Sequence, residues 1–312
     1  MRELRPVYLP PDPVSRATYQ AGEIAQCDLW FSDVAIPVGC GQVRTATALP
    51  VMTMVCGYSR WASAMLIPIR SAEDPYAAWW HHLSVPGAVP RVFVWDGEGA
   101  VGRWRARMPE LTAVCQAFRR TVAAKFVIYK PGDPGAKGLV ERFHDYLERA
   151  FLPGRVFNSP VDFNTQLGDW LVIANHRQHR VLGCRPADRV EADRAAIMPL
   201  PPVAPVTGSR THARLPRDHY MRLDSNDYSV HPAAVDRRIE VCVQVWCAGR
   251  LVADHDRIWA KHQTISDPEH VAAAKAMRRN RFDVATLPTH VEVEQTSLTD
   301  YDALIDIDGP VA

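Results

Sequence analysis

Three carboxylates stand in settings that suit metal-ion chemistry. Asp28 lies inside the apolar run Gln26-Cys27-Asp28-Leu29-Trp30, Asp96 closes the run Val92-Phe93-Val94-Trp95, and Glu141 stands in Lys137-Gly138-Leu139-Val140-Glu141-Arg142-Phe143. Three acids from separate segments that meet at a sheet edge can hold two divalent ions. Two such ions, about 3.5–4 Å apart, activate an attacking oxygen and neutralise a leaving one, which is how phosphodiesters are cut and joined. Mg²⁺ takes hard oxygen ligands and keeps several waters, so two or three carboxylates are enough. A bridging acid belongs in a rigid strand, as at Asp28. A second belongs at a strand end, as at Asp96. The third can come from a helix packed over the sheet, as at Glu141.

Each acid also has a plain structural explanation. Asp96-Gly97 is a common turn pair. Glu141 can pair with Lys137 on an exposed helix face. Asp28 resists such an explanation, because a carboxylate within a strand core is rarely buried unpaired. Asp33, Glu98, Asp145 and Glu148 are competing acids, and Asp133 fits a helix cap.

The elements that must position these residues follow from periodicity. Residues 24–34 alternate, with Cys27, Leu29 and Phe31 on one side and Gln26, Asp28 and Trp30 on the other, which predicts a strand. Residues 44–55 and 61–69 read as two more strands, joined near Gly57-Tyr58-Ser59-Arg60. Asp74-Pro75 opens a helix to about Leu83, with Asp as cap and Pro in the first turn. Val92–Trp95 is a buried parallel-type strand, and a helix is expected over about 108–118. Lys125–Tyr129 is a further strand, and Asp133-Pro134 opens a helix to about Phe151 with the stripe Val140, Phe143, Leu147, Phe151. A last helix covers about 161–175. This order predicts an α/β fold, a mixed sheet flanked by helices. Beyond a proline-rich stretch (Pro199, Pro201, Pro202, Pro205), residues 211–265 read as a small all-β barrel. Within it Ile239–Trp246 reads as one alternating strand, and Ala248-Gly249 as a turn. His270–Arg279 is a short helix candidate.

Composition sets outer bounds. With 312 residues, 47% hydrophobic and 23% charged, the chain can hold one large and one small domain. The N-terminus lacks an apolar signal-peptide core, and Ala46–Ile69 is too interrupted for a membrane span. Seven scattered cysteines without a Cys-x-x-Cys pattern predict reduced thiols in a cytoplasmic setting. The net charge of +1 hides an asymmetry. Phe282–Ala312 carries seven acids and no Lys or Arg, which leaves +8 on residues 1–281. A basic body suits a nucleic-acid partner and the acidic tail a protein partner. His176-Arg177-Gln178-His179 lacks the cysteines of a zinc site. With Arg180, Arg185 and Arg189 close by, it suits contacts to a DNA backbone. No Walker A pattern is present, so ATP hydrolysis is not expected.

At these residues the chain resembles the catalytic part of the IstA-type transposases of two-gene insertion sequences, members of the retroviral-integrase superfamily with an RNase H-like fold. The resemblance spans about residues 5 to 265. It rests on Gly22–Asp28, Gly57–Arg60, Asp96, Pro134–Arg142, Ala174–His179 with Arg185-Pro186, and Asp227–Pro232 at the opening of the C-terminal β-barrel. It implies a DDE triad of Asp28, Asp96 and Glu141 binding two Mg²⁺ (or Mn²⁺) ions, for 3′-end hydrolysis and strand transfer into target DNA. It also implies DNA contacts from Lys137, Arg142, His176, Arg177, His179 and Arg180. Implied partners are transposon-end and target DNA, further copies of the chain on DNA, and an AAA+ helper ATPase, in a bacterial cytoplasm at the nucleoid. The expected organisation is a linker (1–20), an RNase H-like core (21–195), a Pro-rich linker (196–210), a β-barrel (211–265), and a helix with an acidic tail (266–312). Two departures stand out. The helix-turn-helix domains that precede the linker in the family are not in this sequence, so end recognition falls to another polypeptide, or the chain is an inert DNA-binding remnant. Gly97 replaces the Asn that commonly follows the second Asp, and Glu98 adds a charge.

Overall fold

A computed structural model describes residues 18–45, 49–70, 74–95, 98–105, 108–129, 138–205, 211–241 and 244–284. In chain order the first part holds β1 (Ile24–Trp30), β2 (Ile36–Gly39), β3 (Gln42–Arg44), β4 (Val51–Cys56), β5 (Ala62–Leu66) and α1 (Asp74–Ser84). Then come β6 (Ala88–Val89), β7 (Val92–Trp95), β8 (Gly102–Arg105), β9 (Met108–Leu111), α2 (Ala113–Val122) and β10 (Lys125–Ile128). α3 (Gly138–Tyr146) runs into a π-helical turn (Leu147–Phe151), followed by α4 (Pro160–His176) and α5 (Pro186–Ala196).

The main sheet has the order β10-β7-β1-β4-β5. β1, β4 and β5 are antiparallel, whereas β7 and β10 run parallel to β1. This is the mixed sheet flanked by helices that the periodicities predict. Its middle strands are buried on both faces, so their apolar runs are nearly continuous. On one face, Ala25, Cys27 and Leu29 meet α1 and α2 through an aromatic cluster of Trp79, Phe93, Trp95, Phe118 and Phe126. On the other, Trp30 and Val55 meet α3 and α4 through Val140, Phe143, Leu147 and Phe163.

The outer strand β5 is covered rather than left open. Asn164 and Asn175, eleven residues apart on α4, each use their amide as a surrogate backbone. Asn175 accepts from Ala62 N and donates to Ala62 O, both at 2.9 Å. Asn164 does the same to Leu66, at 2.7 and 3.1 Å. The helix thereby satisfies ladder groups that a further strand would otherwise seek. Asp193, on α5, accepts from Gly22 N at 2.7 Å and from Ser59 N at 3.2 Å, tying the entry of β1 to the β4–β5 turn. That turn requires glycine at position 57: a Cβ there would lie 2.4 Å from Ile24 Cγ2 and 3.2 Å from Ile24 O.

Several boundaries differ from the sequence expectation. β1 ends at Trp30 rather than near Val34, and β2 and β3 form a hairpin that no periodicity announces. Residues 108–111 are a strand, and the following helix begins at Ala113 because the Thr112 hydroxyl caps it, accepting from Cys115 N at 3.1 Å. No periodicity announces α5, whose sequence has no apolar stripe. The helix opening at Asp133-Pro134, the residues 1–17 and 206–210, and the tail from 285 lie outside the described residues.

The C-terminal part holds β12 (Thr211–Arg214), preceded by the short β11 (Met198–Pro199), then β13 (Tyr220–Leu223), β14 (Asn226–Ser229), β15 (Arg238–Val241), β16 (Gln244–Cys247), β17 (Arg250–Asp254), β18 (Thr264–Ile265) and α6 (Pro268–Val284). β11 pairs with β6, and the other strands make a four-stranded sheet, β12-β15-β16-β17, and a three-stranded one, β13-β14-β18. The run Ile239–Trp246 is therefore a hairpin, with Val241 paired to Val245, not one strand. The segment after β17 returns to the larger unit. Gln42 and Lys261 exchange two hydrogen bonds, at 2.7 and 2.9 Å. Ala260 is buried in the α3–α4 core, and Arg257 joins Asp74 of α1 to Asp224.

Among the described residues, no helix is long and apolar enough to cross a membrane. The six described cysteines are free thiols, four of them buried.

Candidate functional site

The face of β1 that carries Gln26, Asp28 and Trp30 lies under α3. Gln26 Oε1 accepts from Leu139 N at 3.1 Å and from Val140 N at 3.3 Å, taking up two N–H groups that a helix start leaves unsatisfied. Trp30 Nε1 donates to Glu148 Oε1 at 3.2 Å, two turns further on. The helix is thus held along β1 at both ends, and Asp28 lies between the two anchors.

Asp28 is half-buried, and its Oδ1 accepts from Leu29 N at 2.9 Å. Opposite it in the ladder, Thr53 donates its hydroxyl proton to Asp28 O at 2.9 Å. The same Thr53 oxygen lies 2.8 Å from His144 Nε2. With the hydroxyl proton committed, Nε2 is the donor in that contact. His144 also stacks on Trp30, with ring centroids 6.4 Å apart. Glu141 is exposed in the first turn of α3, one residue after the Val140 that Gln26 anchors.

Of the predicted acids, then, Asp28 and Glu141 fall on two elements that face each other. β7 pairs beside β1 with Val94 opposite Gln26, and its description ends at Trp95. Asp96 and Lys137 lie outside the described residues. Among the described residues no group of three or more His, Cys, Asp or Glu could hold a metal ion. Asp28 and Glu141 offer carboxylate oxygens, the donor type that a hard divalent cation takes. The competing acids have other surroundings: Asp145 pairs with Arg149 at 3.7 Å on the surface, Glu148 receives Trp30, and Asp33 is exposed beyond the end of β1.

The opposite flank of α3 is cationic. Arg142, Arg177, His179 and Arg180, all predicted DNA contacts, line one cavity of about 470 Å³ between α3, the β4–β5 turn and the loop after α4. Arg60, from the turn, completes the set. Its association with this group is invisible in the sequence, because 82 residues separate it from Arg142; only its place in the Gly57–Arg60 turn marks it. The His179 imidazole is held below its usual range by burial and then by the charges of Arg60 and Arg142. Burial likewise lowers Arg60; Tyr19 pulls it back up, and the charges of Arg142 and Arg189 add smaller downward pushes. His176 does not join them: it is exposed, and its Nδ1 sits 2.8 Å from Val172 O.

Residues 200–267 match the family described as Mu transposase, C-terminal domain. No curated protein matches the sequence. Among solved structures, similarity was found to the integrase catalytic core domain of HTLV-2 in complex with magnesium. It has 15% identity and a TM-score of 0.37, and covers 55% of this chain and 98% of that one. The catalytic core domain of BIV integrase gives 14% identity and a TM-score of 0.41, covering 56% and 97%. A chain of the simian T-cell lymphotropic virus intasome, in complex with a PP2A regulatory subunit, gives 16% identity and a TM-score of 0.45, covering 86% and 87%.

Proposed function

We propose that this chain is a DNA transposase of the IstA type, a polynucleotidyl transferase with an RNase H-like core at 21–195 and a DNA-contacting β-domain at 211–265. The observation that carries the proposal is the pinning of α3 along the Asp28 face of β1, which sets Glu141 on the helix that overlies Asp28. The match of residues 200–267 to a transposase C-terminal domain supports it independently.

In this reading Asp28, Asp96 and Glu141 hold two Mg²⁺ (or Mn²⁺) ions. Bound there, the ions would lower the pKa of an attacking oxygen and neutralise the leaving one. The protein's own part is placement. A strand fixes Asp28, the Gln26 anchor fixes the height of Glu141, and Thr53 with His144 holds the Asp28 backbone. Asp96 follows in the sequence on Trp95 of β7, the strand that runs parallel to β1. The substrates are transposon ends and target DNA, bound by several copies of the chain. The acidic tail is the proposed contact for an AAA+ helper ATPase, in a bacterial cytoplasm.

The test is strand transfer on pre-cut ends with the purified chain. Joined products that require Mg²⁺ or Mn²⁺ are expected. DNA binding that salt weakens, with no metal-dependent nicking or joining, would instead identify an inert DNA-binding remnant.

A further inference from the structure

The cavity on the basic flank of α3 has two properties that surface arginines do not have by default. First, its lining contains four guanidiniums, those of Arg60, Arg142, Arg177 and Arg180, and no carboxylate. Among the described residues none of the four forms an ion pair; the ion pairs present there involve Arg149, Arg194, Arg214, Arg222 and Arg257. Four like charges are thus gathered around one cavity with no ion pair to them among the described residues. Some of the four already have fixed postures: Arg60 donates to Gly57 O, Arg142 to Gly138 O, and Arg177 Nη1 to Tyr146 OH at 3.3 Å.

Second, the floor is apolar. Val55, Leu139, Phe143, Tyr146, Ala174 and Val181 line the same space. A volume of about 470 Å³ far exceeds what a bare phosphate fills and lies in the range of small-molecule sites. Tyr146 is itself backed by Trp170, with ring centroids 5.0 Å apart, so its ring has a fixed posture. A ligand that satisfies both halves carries a phosphate for the guanidiniums, which match its oxygens in bidentate fashion, and a flat apolar-faced ring for the floor.

We infer that this cavity is a nucleotide pocket, which takes one unpaired nucleotide of a DNA strand, with its phosphate on Arg60, Arg142, Arg177 and Arg180 and its base against Phe143 and Tyr146. The inference rests on the proposed DNA-joining role for its choice of DNA over a free nucleotide. At about 100° per residue, Glu141 leaves α3 about 140° from Tyr146 and about 160° from Leu139 and Phe143, which line the pocket, so the body of the helix, about 10 Å across, stands between the pocket and the acids. The occupant is thus a nucleotide flanking the reacting phosphodiester rather than the reacting one.

Binding measured by fluorescence anisotropy, in EDTA and with the Asp28→Asn chain as well as the wild type, tests this apart from any joining. The probes are a blunt duplex, the same duplex with one unpaired terminal nucleotide, and dAMP or inorganic phosphate as competitors. The expected result is a preference of about tenfold or more for the unpaired end, the worth of one charge-assisted contact. That preference is lost in Arg142→Ala/Arg180→Ala and kept in Arg119→Ala/Arg120→Ala, a pair of exposed charges on α2. Competition by dAMP but not by phosphate alone at equal concentration is expected, since the floor contributes. Equal binding of both duplexes, or equal loss in both double variants, overturns the pocket. Competition by phosphate as strong as by dAMP overturns the assignment of the floor to a base. A chain that shows the preference but never joins DNA would refute the proposed function and leave the pocket standing.

Discussion

The two flanks of α3 carry opposite charges and are built to different tolerances. On the β1 flank the acid Asp28 sits half-buried inside a strand, with its backbone and side chain both hydrogen-bonded, and the helix above it is anchored by buried Gln26. On the other flank the arginines come from a turn, a helix and a loop, and three of the four are exposed. Under the proposed function, the difference follows from what each flank would do. Metal ligands act only when held within about 0.5 Å of the productive geometry. Neutralising a phosphate tolerates far more slack, since charge acts over several ångströms.

Substitutions that disturb one flank and spare the other would sharpen this contrast. Asn175→Leu should have the largest effect, because it strips both Ala62 backbone groups of their buried partners. A loss of about 3 kcal/mol is expected, from two unsatisfied groups, read by chemical denaturation. The pocket should suffer with it, and metal-dependent joining per folded molecule should not; equal loss of both would break the contrast. Gln26→Ala should cost about 2 kcal/mol, as two first-turn N–H groups lose their acceptor. Because Gln26 sets the height of the whole helix, it should depress joining and nucleotide binding together.

His82 provides a reference remote from both flanks. It is fully buried under the sheet, 2.6 Å from Ser63 Oγ and 3.2 Å from Met52 O, with His81 beside it. Burial, then the His81 charge, pulls its pKa down to about 3. The unfolded chain therefore binds this proton more readily than the folded one. The contribution of neutral His82 to stability is complete above the unfolded pKa of about 6.5 and is lost as pH falls toward 3. The slope is at most about 1.4 kcal/mol per pH unit. His82→Gln should flatten that acid slope in a pH series of urea melts, leaving the contrast between the flanks unchanged. The smallest effect belongs to Glu148→Gln, in which an amide oxygen can still accept from Trp30. Joining should stay at the wild-type level; a collapse would move the third acid from Glu141 to Glu148.

Much of this organisation is legible in the residues, for identifiable reasons. The alternation of Cys27 and Leu29 against Gln26, Asp28 and Trp30 gives β1 and its two faces, because both faces are buried and the period is enforced by two cores. The stripe Val140, Phe143, Leu147 gives α3 in the same way. What escapes lies where no period exists. The hairpin β2–β3 and strand β9 are too short to show one. α5 buries little beyond Val190 and Asp193, so it reads as polar loop although Asp193 ties two parts of the sheet. Alternation also misleads at Ile239–Trp246, since Val241 pairs with Val245 and Glu240 with Trp246, even separations that carry the same parity from one strand into the next. Of the pocket, Arg177 and Arg180 announce themselves beside His179, whereas Arg60 joins them only through the folding of the β4–β5 turn over α3.

The most direct test of the acidic flank compares strand transfer by Asp28→Asn, Asp96→Asn and Glu141→Gln with Asp145→Asn, on pre-cut ends at fixed Mn²⁺, after circular dichroism has shown each chain folded. The account predicts that each of the first three falls to background and that Asp145→Asn joins DNA like the wild type. Metal-dependent joining retained by any one of the first three would contradict it.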